Sequence, residues 1–218
     1  MYDYFLFDLD GTLTDPGLGI TNSVAYALEK YHISVKDRRE LYPFIGPPLW
    51  RSFSEFYGFD EKQTRQAIVY YREYFGEKGL FENEVYAGIP DVLAALKQAG
   101  KTLLVATSKP EIYTNRILEH FDLARYFDVV AGATMDETRN EKADIIAYAL
   151  KQIADADPSK IVMIGDRKFD ILGARENGID SIGVLYGYGS RAELEEAQAT
   201  YIAEKPEDLL IAALELAE

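Results

Sequence analysis

Five short runs of branched and aromatic residues, separated by helical patterns, limit what this chain can fold into more than any other feature. They read YFLF at 4–7, TLLVAT at 102–107, FDVVAG at 127–132, KIVMIG at 160–165 and SIGVL at 181–185. Each is apolar on both faces, as strands buried inside a parallel sheet are. The segments between them have helical spacing: IPDVLAALKQAG, PEIYTNRILEHF with Pro110 at its first helical position, KADIIAYALKQI, and FDILGAREN closed by Gly178. Strand–helix alternation of this kind predicts an α/β fold with a parallel sheet.

One stretch breaks the rhythm. Residues 16–82 carry helical patterns only, in ITNSVAYALEKY, PLWRSFSEFY and EKQTRQAIVYYREYF. They are under a third of the chain yet hold 14 of its 28 aromatic residues, as a small lobe needs bulky rings to build a core of its own. The expected organisation is therefore an α/β domain from residues 1–15 and 83–218, with a helical lobe of residues 16–82 inserted after the first strand. Thr14–Pro16 and Phe81–Ala87 are the expected hinges. Trp50, in GPPLW, is expected either to pack inward at a helix start or to touch a ligand.

The composition narrows the function. A net charge of −14 opposes broad contact with a nucleic-acid backbone. There is no cysteine, which removes disulfides, thiolate zinc sites and cysteine nucleophiles, and fits a reducing compartment. The start MYDYFLFDLD has no basic, cleavable leader, and no apolar run is long enough to span a bilayer, so a cytoplasmic location is expected.

The chemistry lies at the ends of the strands, where ligands of parallel sheets gather. The first run delivers Asp8 and Asp10, the second Thr107, Ser108 and Lys109, and the fourth Asp166 with Asp170 four residues on. Lys142 opens the helix after the third. Singly, each is an ordinary turn or cap residue. Together, so many carboxylates call for a cation, and oxygen ligands without cysteine select a hard ion such as Mg2+. His32 and His120 fall outside the group and are read as ordinary surface or packing residues.

The set resembles the haloacid dehalogenase-like hydrolase superfamily, and its phosphatases in particular. DLDGTLTD matches the DxDGT signature, VATSK the strand-end Ser/Thr motif, Lys142 the conserved lysine, and GDRKFD the GDxxxD motif. The match spans nearly the whole chain and departs only around the lysine, which reads Glu141-Lys142-Ala143 where relatives commonly read Gly-Lys-Pro. The resemblance implies a Rossmann-like three-layer core whose helical insert is a cap that opens and closes over the site. It also implies the residue roles. Asp8 would be the nucleophile and Asp10 the acid/base, oriented by a hydrogen bond from Thr12. Asp8, Asp10 through its carbonyl, Asp166 and Asp170 would form the Mg2+ site, with Asp170 in a supporting place. Thr107 and Ser108 would hold phosphoryl oxygens, and Lys142 would neutralise charge on them. Arg51 and Lys109, the latter near the entrance, would meet the substrate.

The implied activity is hydrolysis of a small phosphomonoester through an aspartyl-phosphate. The pattern is closest to the 5'-nucleotidase-like and phosphoglycolate phosphatase branches, so a nucleoside 5'-monophosphate or 2-phosphoglycolate is the expected substrate. A β-phosphoglucomutase-like mutase and a non-catalytic binding module on the same fold are the alternatives.

Overall fold

The computed structural model describes residues 1–136 and 138–214. The chain forms two compact units, one of residues 1–14 together with those from Val85 on, the other of Asp15–Glu84.

The first unit is built on a parallel sheet. In chain order its elements are β1 (Tyr4–Phe7), α4 (Ile89–Gln98), β4 (Thr102–Pro110), α5 (Glu111–His120), β5 (Val129–Ala133), α6 (Lys142–Lys151), β6 (Ile161–Gly165), α7 (Lys168–Glu176), β7 (Asp180–Val184), α8 (Arg191–Glu196), β8 (Tyr201–Ala203) and α9 (Asp208–Leu214). The strand order is β5-β4-β1-β6-β7-β8, all parallel. β1 is central. The chain lays β4 and β5 on one side of it and then β6, β7 and β8 on the other, so the order reverses at β1. Such a switch point leaves a crevice beyond the strand ends.

Burial follows the sequence pattern. Phe5, Leu6, Phe7, Leu103 to Ala106 and Val162 to Ile164 are wholly buried. Alternate residues Leu6, Leu104, Ala106 and Met163 pack against Ile145, Ile146 and Ala149 of α6 and Ala174 of α7. Phe7, one residue out of phase, meets Phe127 edge-on at 6.1 Å. Each buried large apolar side chain contributes about 1.5–3 kcal/mol before the entropy cost of ordering it. This is the α/β architecture with a parallel sheet expected from the strand–helix alternation, in the Rossmann-like form that the family resemblance implied. Two local expectations are corrected. Pro110 sits at the N-cap of α5 with ψ 132°, outside the helix rather than at its first position. A sixth strand, β8, lies at the sheet edge.

The second unit contains α1 (Gly17–Glu29), a 3-10 stretch Arg38–Phe44, α2 (Leu49–Tyr57) and α3 (Glu61–Tyr74), which runs into a π turn at Phe75–Gly79. α3 begins with a capping box. Asp60 accepts from the Gln63 N–H at 2.8 Å, and the Gln63 side chain accepts from the Asp60 N–H at 3.1 Å. Phe44, Phe53 and Phe59 form a ring cluster, with centroids 5.1 Å and 5.9 Å apart along it. Trp50 does not pack inward; it is 42% exposed. At the two points where the chain passes between units, β2 (Thr14–Asp15) and β3 (Glu84–Val85) pair as a small sheet. Among the described residues no helix is long and apolar enough to cross a membrane.

Candidate active site

Register fixes the first contacts. Phe7 stands opposite Val105 on one side and Ile164 on the other. The next residues therefore emerge together at the carboxyl ends of these strands. Asp8 leaves β1 with its N–H still donating to the Ile164 carbonyl at 2.9 Å. Asp166 follows β6, and Asp170 lies in the first turn of α7.

The three carboxylates of Asp8, Asp166 and Asp170 offer oxygens that all lie within 4.8 Å of one another, and all three residues are buried. Lys142, the first residue of α6, reaches into this group. Its ammonium lies 2.8 Å from Asp8 Oδ1 and 2.8 Å from Asp170 Oδ1, and it donates to the Ala106 carbonyl at 3.1 Å. Asp170 also accepts from the Arg167 N–H at 3.1 Å, which fixes its second oxygen at the helix start. Asp166 Oδ2 accepts from the Tyr188 N–H at 2.7 Å, while its Oδ1 is buried with no hydrogen-bond partner among the described residues.

A second charged pair lies at the same strand ends. The Lys109 ammonium lies 2.7 Å from Asp10 Oδ2, and both side chains are largely buried. Lys109, expected near the entrance, is thus held against Asp10. The pairing of β4 with β5 shifts register between Thr107 and Pro110, so the residues there do not continue a regular pleat. Thr107 is buried and its Oγ1 accepts from the Lys109 N–H at 3.2 Å; Ser108 is half-buried.

The carboxylate of Asp10 is engaged by Lys109 and lies outside the three-carboxylate group. Thr12 does not orient Asp10 by a hydrogen bond. Its Oγ1 is buried without a partner among the described residues, and the turn is held by its backbone, through Gly11 N–H to the Thr14 carbonyl at 2.8 Å. Arg51 belongs to the second unit, where its Nε donates to Glu55 at 2.7 Å. His32 and His120 are exposed and take no part in the carboxylate group.

The electrostatics follow from this crowding. Burial pushes the Asp10 carboxyl above its ordinary range, and the Lys109 ammonium pulls it part of the way back. Burial, reinforced by Asp170 and Asp8, raises Asp166 well above that range. Asp170 is pushed up to about 6 by burial, against the pull of Lys142. Burial works to lower Lys142, but Asp170 and Asp8 overcome it and hold the ammonium firmly protonated. With Lys109 paired to Asp10, three carboxyl groups face one ammonium; ionised together, they would carry an excess of two negative charges. A divalent cation is the simplest complement, and the all-oxygen donor set with one unpartnered buried oxygen suits Mg2+.

Inspection of the sequence missed the segment Tyr186–Gly189, whose backbone holds Asp166. Its signal was present: two glycines alternate with two tyrosines directly after the fifth apolar run.

Comparison with known proteins points the same way. The profile of the haloacid dehalogenase-like hydrolases matches residues 5–184. A 5'-nucleotidase of Pseudomonas aeruginosa is 47% identical over 200 residues, 92% of this chain and 90% of its own. The tyrosine-protein kinase PtkA of Mycobacterium tuberculosis is 39% identical over 197 residues, 90% of this chain and 67% of its own. A crystal structure of a Clostridium acetobutylicum protein described as a predicted phosphatase superposes with a TM-score of 0.96 at 50% identity, covering 99% of this chain and 100% of that one.

Proposed function

Because the chain belongs to the haloacid dehalogenase-like hydrolase family, and is one of its phosphatases, we propose that it is a Mg2+-dependent enzyme. In this reading it hydrolyses small phosphomonoesters through an aspartyl-phosphate, with nucleoside 5'-monophosphates ahead of 2-phosphoglycolate. The observation that carries this is the buried triplet Asp8, Asp166 and Asp170, tied together by Lys142. The preference among substrates rests on the relative named 5'-nucleotidase.

Asp8, Asp166 and Asp170 would hold the ion, with Asp170 also supporting Lys142. Mg2+, when bound, would offset the repulsion between the Asp8 carboxylate and an approaching phosphate dianion. Lys142 engages Asp8 Oδ1, which leaves Oδ2 to attack phosphorus. As the new P–O bond forms, the ester P–O bond breaks, and Asp10 gives its proton to the departing alkoxide. In the second step Asp10 takes a proton from water, whose oxygen attacks phosphorus and releases Asp8. Burial that raises Asp10 favours the protonated form needed first, and Lys109 favours the ionised form needed second. Thr107 and the Ser108 N–H would hold the transferring oxygens.

The test is phosphate release from a panel of nucleoside monophosphates, 2-phosphoglycolate and hexose phosphates, with Mg2+ or with EDTA. The expected result is release that EDTA abolishes, fastest with the nucleotides. Isomerised hexose phosphate instead of free phosphate would establish the mutase alternative. No release from folded, Mg2+-loaded protein would establish the binding module.

A further inference from the structure

Among the described residues, Asp166 is the only member of the carboxylate triplet that forms no ion pair with Lys142. Something else must fix it. Its side chain accepts from the main chain of Tyr188 at 2.7 Å, short enough to be charge-assisted. The segment that supplies this donor lies unusually close. A Cβ added to Gly187 would overlap the Gly11 carbonyl and the Asp166 side chain, and one added to Gly189 would overlap the Asp166 carbonyl. The two glycines are needed because backbone rests directly on Asp166 from both sides of Tyr188.

The same segment also grips the first motif. The Tyr186 hydroxyl donates to the Thr12 carbonyl at 3.1 Å, and its ring stands against Tyr86 with centroids 5.0 Å apart. Both ends are anchored. Leu185 N–H donates to the Ala203 carbonyl at 2.9 Å. Ser190 caps α8, accepting from the Glu193 N–H at 3.1 Å, and Glu193 in turn accepts from Arg167 Nε and the Lys168 N–H, each at 2.9 Å. The segment therefore bridges the turn after β1 and the loop after β6, which carry Asp8 and Asp166 of the proposed metal ligands.

We propose that Tyr186–Gly189 is a positioning strap for the cation site: the Tyr188 N–H fixes one Asp166 oxygen so that the other faces the ion, and the Tyr186 hydroxyl holds the Asp10–Thr12 turn in register with it. The inference rests on the Mg2+ reading above. A backbone donor suits the task because no side-chain rotation can withdraw it. Groups that orient a ligand in this way change metal affinity by about 10- to 100-fold when lost.

The test measures Mg2+ binding to the substrate-free full chain by calorimetry, with thermal unfolding as a check on folding. Wild type should bind Mg2+. Gly187→Ala should bind it at least about tenfold more weakly. Tyr186→Phe, which keeps the ring, should fold as wild type and bind several-fold more weakly. In activity assays both should raise the Mg2+ concentration needed for half-activation while leaving KM for the ester unchanged at saturating Mg2+. Unchanged affinity in folded Gly187→Ala overturns the inference; should that variant not fold, unchanged affinity in Tyr186→Phe overturns it. An equal loss of affinity in Gly79→Ala, in the helical unit, also overturns it by showing general destabilisation. Wild type that binds no Mg2+ instead removes the metal reading itself.

Discussion

The two units bury different kinds of polar group. Among the described residues the α/β unit buries the charged Asp8, Lys101, Lys109, Lys142, Asp166 and Asp170 beside hydroxyls such as Thr107 and Ser181, whereas the helical unit buries no charged residue, only Thr21, Ser23, Ser52, Thr64 and Asn83. The hydroxyls of the helical unit are satisfied locally: Thr21 and Ser23 donate back to the carbonyls of Gly17 and Gly19 at 2.7 and 2.6 Å. Such bonds are nearly neutral for folding. Buried carboxylates are not, since desolvating each costs several kcal/mol and pairing recovers only part of it. A chain stabilised by rings and local hydroxyls in one unit has no structural need for three crowded carboxylates in the other. The cost is localised where the chemistry is proposed.

Close backbone approach separates the units in the same sense. In the helical unit a Cβ on Gly19 would overlap the Gly79 carbonyl, so glycine there lets α1 meet the π turn. In the α/β unit the glycines of the 186–189 segment let backbone meet a carboxylate. One use serves packing, the other places a charge.

If that contrast is right, Asp8→Asn should have the largest effect. Turnover should fall by on the order of 10^4 or more in protein that still folds. Retained turnover would break the comparison at its centre. Lys142→Met comes next. It leaves Asp8 and Asp170 buried without their shared ammonium, and stability measured in EDTA should drop by about 3–5 kcal/mol. Added Mg2+ should stabilise this variant more than it stabilises wild type or a helical-unit variant, because only here does it also offset carboxylates left without their ammonium. Gly79→Ala should cost about 1–3 kcal/mol through the overlap with the Gly19 carbonyl and Ser23 Oγ, and leave Mg2+ affinity intact. Asp60→Ala removes the cap of α3 and should cost about 1 kcal/mol in chemical denaturation, with kinetics unaffected.

The smallest effect contrasts buried with exposed charge. Asp128 is half-exposed. Partial burial pushes its carboxyl up, but the Lys97 ammonium at 2.8 Å and the Leu103 N–H at 3.0 Å overcome that and hold it below its ordinary value. A depressed folded-state value contributes stability that is present above the unfolded value and lost as pH falls through the folded one. The stability difference between wild type and Asp128→Asn should therefore be present at neutral pH and fade below about pH 4. A difference that grew on acidification would contradict the sign.

Much of this was legible in the sequence because buried parallel strands are apolar on both faces and end in conspicuous polar residues. YFLF followed by Asp8, and KIVMIG followed by Asp166, announce both strand and site. What escaped notice was long-range or short. β8 is only Tyr201–Ala203 on a sheet edge, too brief to show a period. The pairing of Lys109 with Asp10 depends on an irregularity after Thr107 that no residue type signals. Thr12 was expected to act through its hydroxyl, but the turn is closed by backbone bonds, which composition does not reveal. Trp50 shows the limit of reading rings as core, because an amphipathic helix can leave its largest ring exposed.

The most direct measurement is an acid quench during turnover of a 32P-labelled nucleoside monophosphate, followed by mass spectrometry of the N-terminal peptides. A phosphoryl group on Asp8, absent in Asp8→Asn, is the predicted result. Active protein whose label lies on another residue, or that turns over with no covalent label at any quench time, would contradict capture of phosphorus by the first carboxylate.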